Sequence, residues 1–175
     1  ILSGAEYTLN LLNEYEELDP SSTRAAKLID EITHLDGWDL EQQAEVLMKS
    51  LSTAPAEQIA GNLSGGEKRR VALCKTLISS PDFLILDEPT NHLDTESIAW
   101  LEERLRKFRG GILMVTHDRY FLDRVANRIF ELADGEIRSF QGNYSQYLIK
   151  KAELVETNEL IEHKRQQRLK KELAW

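Results

Sequence analysis

The sequence is poor in the features that brace or anchor a chain by other means than a packed core. It holds one cysteine, Cys74, so no internal disulfide can form. That cysteine sits in an apolar helical pattern, where buried filler is the expected role rather than a reactive thiol. No apolar run approaches the roughly 20 residues of a membrane helix, and no signal-peptide pattern opens the chain. Glycine and proline are few (9 and 4), and neither an internal repeat nor a low-complexity stretch occurs. What is there is 41% hydrophobic and 30% charged over 175 residues, the composition of a soluble globular protein with one core of ordinary size. A reducing, cytoplasmic setting fits these absences. The first residue is Ile1 rather than Met, so the expectation is a piece of a longer protein.

The net charge of −8 is unevenly placed. Residues 1–60 carry twelve acids against three bases, residues 61–145 thirteen against twelve, and residues 146–175 five against seven. Most of the final excess lies in the run from Lys164 to Lys171. An acidic body with a basic end is compatible with a nucleic-acid partner at that end only, although such a run is also the ordinary surface of a solvated helix.

The first sixty residues read as helices. Ser21-Ser22-Thr23 offers N-caps for a helix through Leu28, Ile29, Ile32 and Leu35, closed at Asp36-Gly37. Asp39 with Gln42 suggests a capping box for a second helix through Val46, Leu47 and Leu51. From Asn62 the pattern alternates between helix and strand. Ser64-Gly65-Gly66-Glu67 has the form of a capping box, and the helix it opens runs until Pro81. Phe83-Leu84-Ile85-Leu86 and Ile112-Leu113-Met114-Val115 are unbroken apolar runs, predicting strands covered on both faces. Between them a helix capped by Asp94 or Thr95 runs through Ile98, Leu101 and Leu105. A helix through Tyr120 to Val125 and a hairpin turned at Asp134-Gly135 follow. After Asn143 one long helix is predicted, with Leu148, Val155 and Leu169, and Leu154 and Ile161, at multiples of seven. Glu162 and Arg168 break the heptad, so the helix reads as an exposed or partner-dependent arm rather than a strong coiled coil.

The chemistry gathers at the strand ends. In open α/β sheets ligands collect beyond the carboxyl ends of the strands. The first strand ends Asp87-Glu88-Pro89: Asp87 can hold Mg²⁺, a hard cation that prefers oxygen, while Glu88 orients or deprotonates an attacking water. The second ends Thr116-His117-Asp118, which brings His117 to the same edge, within reach of a γ-phosphate. Ser64-Gly65-Gly66 places a hydroxyl and two glycine N–H groups at a helix N-terminus, where an anion is favoured. Each piece alone is common: acids end many strands, and serine caps many helices.

Their order and spacing are not common. Leu63-Ser64-Gly65-Gly66-Glu67, then Leu86-Asp87-Glu88-Pro89-Thr90-Asn91-His92-Leu93-Asp94, then Thr116-His117-Asp118-Arg119 closely resemble the signature motif, the Walker B and D-loop, and the switch region of ATP-binding cassette (ABC) proteins. The finer resemblance is to the ABC-F family, through Asn91-His92-Leu93-Asp94, His117 to Leu122, and Gly142 to Tyr147 before a charged helix. The Lys171 to Trp175 ending is similar, on a shorter match, to the Uup-like branch. The resemblance implies an α/β, P-loop NTPase-like ABC nucleotide-binding domain, partial and without its Walker A portion. It would comprise a helical subdomain (1–60), the C-terminal part of the nucleotide-binding domain (61–145) and the start of a helical inter-domain linker (146–175).

What the resemblance implies for the site is divided between two ATP molecules. Two cassettes, in one parent chain or in a dimer, close face to face. Ser64, Gly65, Gly66, Glu67 and Asp94 would act in trans on the opposite site, while Asp87 with Mg²⁺, Glu88 and His117 serve their own. No G-x-x-x-x-G-K-[S/T] loop occurs, so the chain has no cradle for the β- and γ-phosphates. The expectation is a parent ATP hydrolase acting on the ribosome, with the linker helix near RNA, and a fragment inactive by itself with apolar sheet surface exposed. The alternatives are the nucleotide-binding subunit of a membrane transporter and a DNA-related role of the Uup-like kind.

Overall fold

The computed structural model describes residues 1–173; Ala174 and Trp175, the end of the Uup-like stretch, lie outside the described residues. The chain divides into two compact units, Ile1 to His117 and the remainder from Asp118.

The first unit begins with a 3₁₀ turn, Leu2–Ala5, and three helices: α1 (Glu6–Glu17), α2 (Thr23–His34) and α3 (Leu40–Ser50). Ser22 caps α2 by accepting from the Ala25 N–H at 3.1 Å. One turn apart on α2, Leu28 and Ile32 are fully buried and pack with Leu11 of α1, which makes this small core the reason for the helical period. Gly37 closes α2 against it, and a side chain there would come within 2.4 Å of Thr8. The capping box expected at Asp39 and Gln42 does not form. Asp39 holds φ −110° and ψ 35°, away from the extended conformation from which a cap side chain reaches the first-turn N–H groups, and it makes no capping bond.

Next come α4 (Gly65–Ile78), β1 (Phe83–Asp87), α5 (Thr95–Arg106) and β2 (Gly111–Val115). The strands pair in parallel, Phe83 opposite Gly111 through Asp87 opposite Val115, with α5 as the crossover. Burial on β1 alternates: the strand is not covered on both faces among the described residues, and it leaves exposed the apolar sheet surface expected of the fragment. Leu84 and Leu86 are buried, while Phe83 and Ile85 are 56% and 73% exposed. Leu113 and Val115 lie in register beside Ile85 and Asp87 and are also exposed. The run is apolar on both faces, but among the described residues only one face is covered. Cys74 is fully buried in α4 as expected, and burial pushes its thiol up to about 11, so it is inert.

The second unit holds α6 (Arg119–Val125), an antiparallel hairpin of β3 (Arg128–Ala133) and β4 (Glu136–Gln141), and α7 (Tyr144–Leu173). Asp118 caps α6 through the Phe121 N–H at 3.0 Å. Asp134 and Gly135 both have positive φ, as a two-residue hairpin turn requires. The first turns of α7 are held to the rest of this unit. Ser145 N–H donates to Asp123 at 2.7 Å, the Phe140 and Tyr147 rings meet edge to face, and the Tyr147 hydroxyl donates to Glu131 at 2.9 Å. Lys151 pairs with the same carboxylate. Beyond this anchor the heptad residues Leu154, Val155, Ile161 and Leu169 are all exposed.

Several carboxylates are held below their usual range by partners the fold supplies. For Glu131 the cause is the Lys151 ammonium, then the Tyr147 hydroxyl; for Asp94 it is first the Ser97 N–H. For Glu67 it is the Ser64 side chain, then its N–H. A carboxylate with a depressed folded pKa contributes stability that is present above its unfolded pKa and lost as pH falls through the folded value. The melting temperature is therefore expected to hold from neutral pH down to about 5 and to drop below about 4. Glu131→Gln should flatten part of that drop in melts followed by circular dichroism; an unchanged acid limb would remove Glu131 as a contributor.

Candidate functional site

Because β1 and β2 run in parallel, their carboxyl ends share one edge. Asp87 is the last residue of β1, opposite Val115, and the Glu88 N–H continues the ladder by donating to the Val115 carbonyl at 2.8 Å. Glu88 then turns into the left-handed region, at φ 48°, a conformation that costs a non-glycine residue about 1 kcal/mol or more and marks a position held by its surroundings. The turn points its carboxylate back at the end of β2. Oε2 accepts from the Thr116 hydroxyl at 3.1 Å and from the His117 N–H at 3.3 Å, and Oε1 lies 3.6 Å from His117 Nε2. The structure thus brings Glu88 and His117 together. Their exposure differs: the Glu88 side chain is 23% exposed and His117 is 99%. A carboxylate with one oxygen tethered can orient a water with the other, and an imidazole so open can reach a phosphate oxygen.

Thr116 is a partner that sequence reasoning missed. The signal was present as a hydroxyl residue between strand and histidine, but nothing local says that it faces Glu88, 28 positions away.

The second group of candidates lies around the start of α4. Ser64 and Glu67 form the capping box in full: the Ser64 hydroxyl accepts from the Glu67 N–H at 3.3 Å, and the Glu67 carboxylate accepts from the Ser64 N–H at 2.8 Å. Glu67 and the Ser64 hydroxyl are thereby both engaged in starting the helix. A side chain at Gly65 would meet nothing within 4 Å, so its backbone stays open to approach, while one at Gly66 would touch His92 at 3.4 Å. Asp94 caps α5 through Ser97 N–H at 2.8 Å, and its other oxygen accepts from the Ser52 hydroxyl at 3.1 Å. Of the two cap candidates foreseen, Asp94 is the one used. Ser52 follows α3 and gave no sequence signal of this role.

Among the described residues no group of three or more His, Cys, Asp or Glu side chains could enclose a metal. Asp87 stands exposed at the strand end.

These elements and their order are shared with known proteins. The sequence pattern of a family described as ABC transporter matches residues 5–91, and a second of the same description matches residues 130–175. Energy-dependent translational throttle protein EttA of Mycobacterium tuberculosis is 51% identical over an alignment 173 residues long that covers 95% of this chain and 31% of that protein. ATP-binding protein ChvD of Rhizobium radiobacter is 47% identical over 169 residues, 94% of this chain and 59% of its own length. The chain thus spans about a third of the first relative and under two thirds of the second. Among solved structures, the complex of archaeal ribosomal stalk protein aP1 and archaeal ribosome recycling factor aABCE1 aligns with a TM-score of 0.51 at 28% identity. The alignment covers 67% of this chain and 26% of that one.

Fold and motifs together define part of an ABC nucleotide-binding domain. The chain belongs to the ABC transporter-like ATPases, among relatives of the ABC-F type.

Proposed function

We propose that the chain is the signature, Walker B and switch portion of one cassette in an ABC-F ATPase, and that ATP-driven closure of paired cassettes acts on the ribosome in the cytoplasm. The observation that carries the enzymatic part is the Glu88 carboxylate, folded back onto Thr116 and His117 where the two parallel strands end. In this reading Asp87 holds Mg²⁺, which supplies charge neutralisation at the phosphates. Glu88 orients the attacking water and His117 contacts the γ-phosphate. Ser64, Gly65, Gly66 and Asp94 face the nucleotide of the opposite cassette. Glu67 supports them by holding the start of α4.

The ribosomal part draws on the relatives, one named as a translational throttle protein and one as a ribosome recycling factor. Residues 1–60 are then the helical subdomain, 61–145 the nucleotide-binding portion, and 146–175 the start of a linker whose run Lys164 to Lys171 meets RNA phosphates. No helix among the described residues is long and apolar enough to cross a membrane. Co-sedimentation of the full-length protein carrying Glu88→Gln with ribosomes tests the reading. A trapped ATP-bound state should give firm, ATP-dependent association, and none would favour the nucleotide-binding subunit of a transporter.

A further inference from the structure

Two consecutive arginines of α4 converge on one residue of the D-loop. Arg69 Nη1 lies 3.1 Å from His92 Nε2, and Arg70 Nη1 donates to the His92 carbonyl at 2.9 Å. A guanidinium has only donors, so in this contact the imidazole Nε2 is the acceptor. His92 itself sits at φ 66°, a left-handed conformation unfavourable for its residue type, and its Cβ lies against Gly66, where an added methyl would touch it at 3.4 Å. The D-loop is therefore tied to α4 at the side chain and the carbonyl of a single residue.

Packing alone does not account for the arginines. Arg70 borders an open cavity of about 220 Å³ between α4 and the end of β1, lined also by Asp87, Glu88 and Asn91. Its Nε is buried without a partner among the described residues, a cost that an apolar side chain would avoid. The return is geometric: the arginine whose guanidinium reaches the His92 carbonyl lines the same cavity as Asp87 and Glu88.

We infer that Arg69 and Arg70 are positioning residues that lock the D-loop to the signature helix, so that Ser64 to Gly66 and Asp94 enter the opposite cassette's site as one rigid piece. The inference rests on the two-site reading above. If the D-loop drifts while the signature loop stays, the opposite site still collects its ATP but is misassembled for hydrolysis. Misplacement by about 1 Å far from the reacting atoms can lower turnover by as much as about a hundredfold.

The test uses the full-length protein. Arg70→Ala is expected to lower kcat by about tenfold with KM for ATP changed by less than about twofold, the split expected when transition-state geometry is lost and ground-state binding kept. Arg70→Lys, which can still donate to the carbonyl, should recover part of the loss. Arg69→Ala and His92→Ala remove two sides of one contact, so the double variant should lose no more than the worse single one. Hydrogen exchange should quicken over residues 91–94 and stay unchanged over 83–86. An unchanged kcat, or exchange that rises equally in both segments, overturns the coupling and leaves a plain structural tie. Loss of turnover in Glu88→Gln without loss in the arginine variants sinks only this inference. Undiminished turnover in Glu88→Gln sinks the site reading beneath it.

Discussion

In the full-length protein, Glu88→Gln is expected to lower ATP turnover by about 10²- to 10⁴-fold while leaving nucleotide binding intact. The size follows from what the substitution keeps. A glutamine carbonyl can accept the same bonds from the Thr116 hydroxyl and the His117 N–H at the same left-handed turn. The fold of the strand ends therefore survives, and only the negative charge that aligns a water and draws its proton is lost. Glu88→Ala is a poorer probe, since it also strips the partners from the end of β2. Phosphate release under saturating ATP, beside equilibrium nucleotide binding, separates the two quantities. Turnover within twofold of the unmodified protein would show that Glu88 is not the water-orienting carboxylate.

The 175-residue chain by itself is expected to show no saturable ATP binding below about 1 mM, which corresponds to a free energy weaker than about −4 kcal/mol. Phosphate recognition draws on a run of backbone N–H groups and a lysine, and the sequence contains no such loop. What it does contain is divided. Glu88 and His117 form one cluster at the strand ends. Ser64, Gly66 and Asp94 form another around α4 and the D-loop, and in the proposed reading the two clusters address different ATP molecules. Asp87, a single exposed carboxylate, offers Mg²⁺ too few ligands without phosphates. Calorimetric titration of the chain with Mg-ATP measures this directly. A micromolar Kd, worth about −8 kcal/mol, would show a complete site where half of each of two sites is expected.

Where the sequence was informative, the information was local. The capping box at Ser64 and Glu67 needs only residues three apart, and it formed as read. The hairpin at Asp134-Gly135 depends on the left-handed conformations those two residues accept, and it too stands where the sequence placed it. The apolar runs located both strands to within a residue. Their two-faced cover was a different matter, because a run of apolar residues records what a strand is suited to and not what lies against it. The Asp39 box failed for a related reason: the right residue types at the right spacing still require an extended cap backbone, and the chain leaving Gly37 does not supply one.

The motifs of an ABC cassette were thus decided by the sequence alone, since their identity lies in residue order over segments of four to nine positions and survives without any contact. Which atoms those motifs touch was decided only by the tertiary structure. Thr116 and His117 reach Glu88 across 28 and 29 positions, and Arg69 and Arg70 reach His92 across 23 and 22. No helical or strand period spans such separations. The parallel pairing of β1 with β2 and the packing of α4 beside the D-loop close those distances, and with them fix where the Glu88 charge and the His92 carbonyl lie.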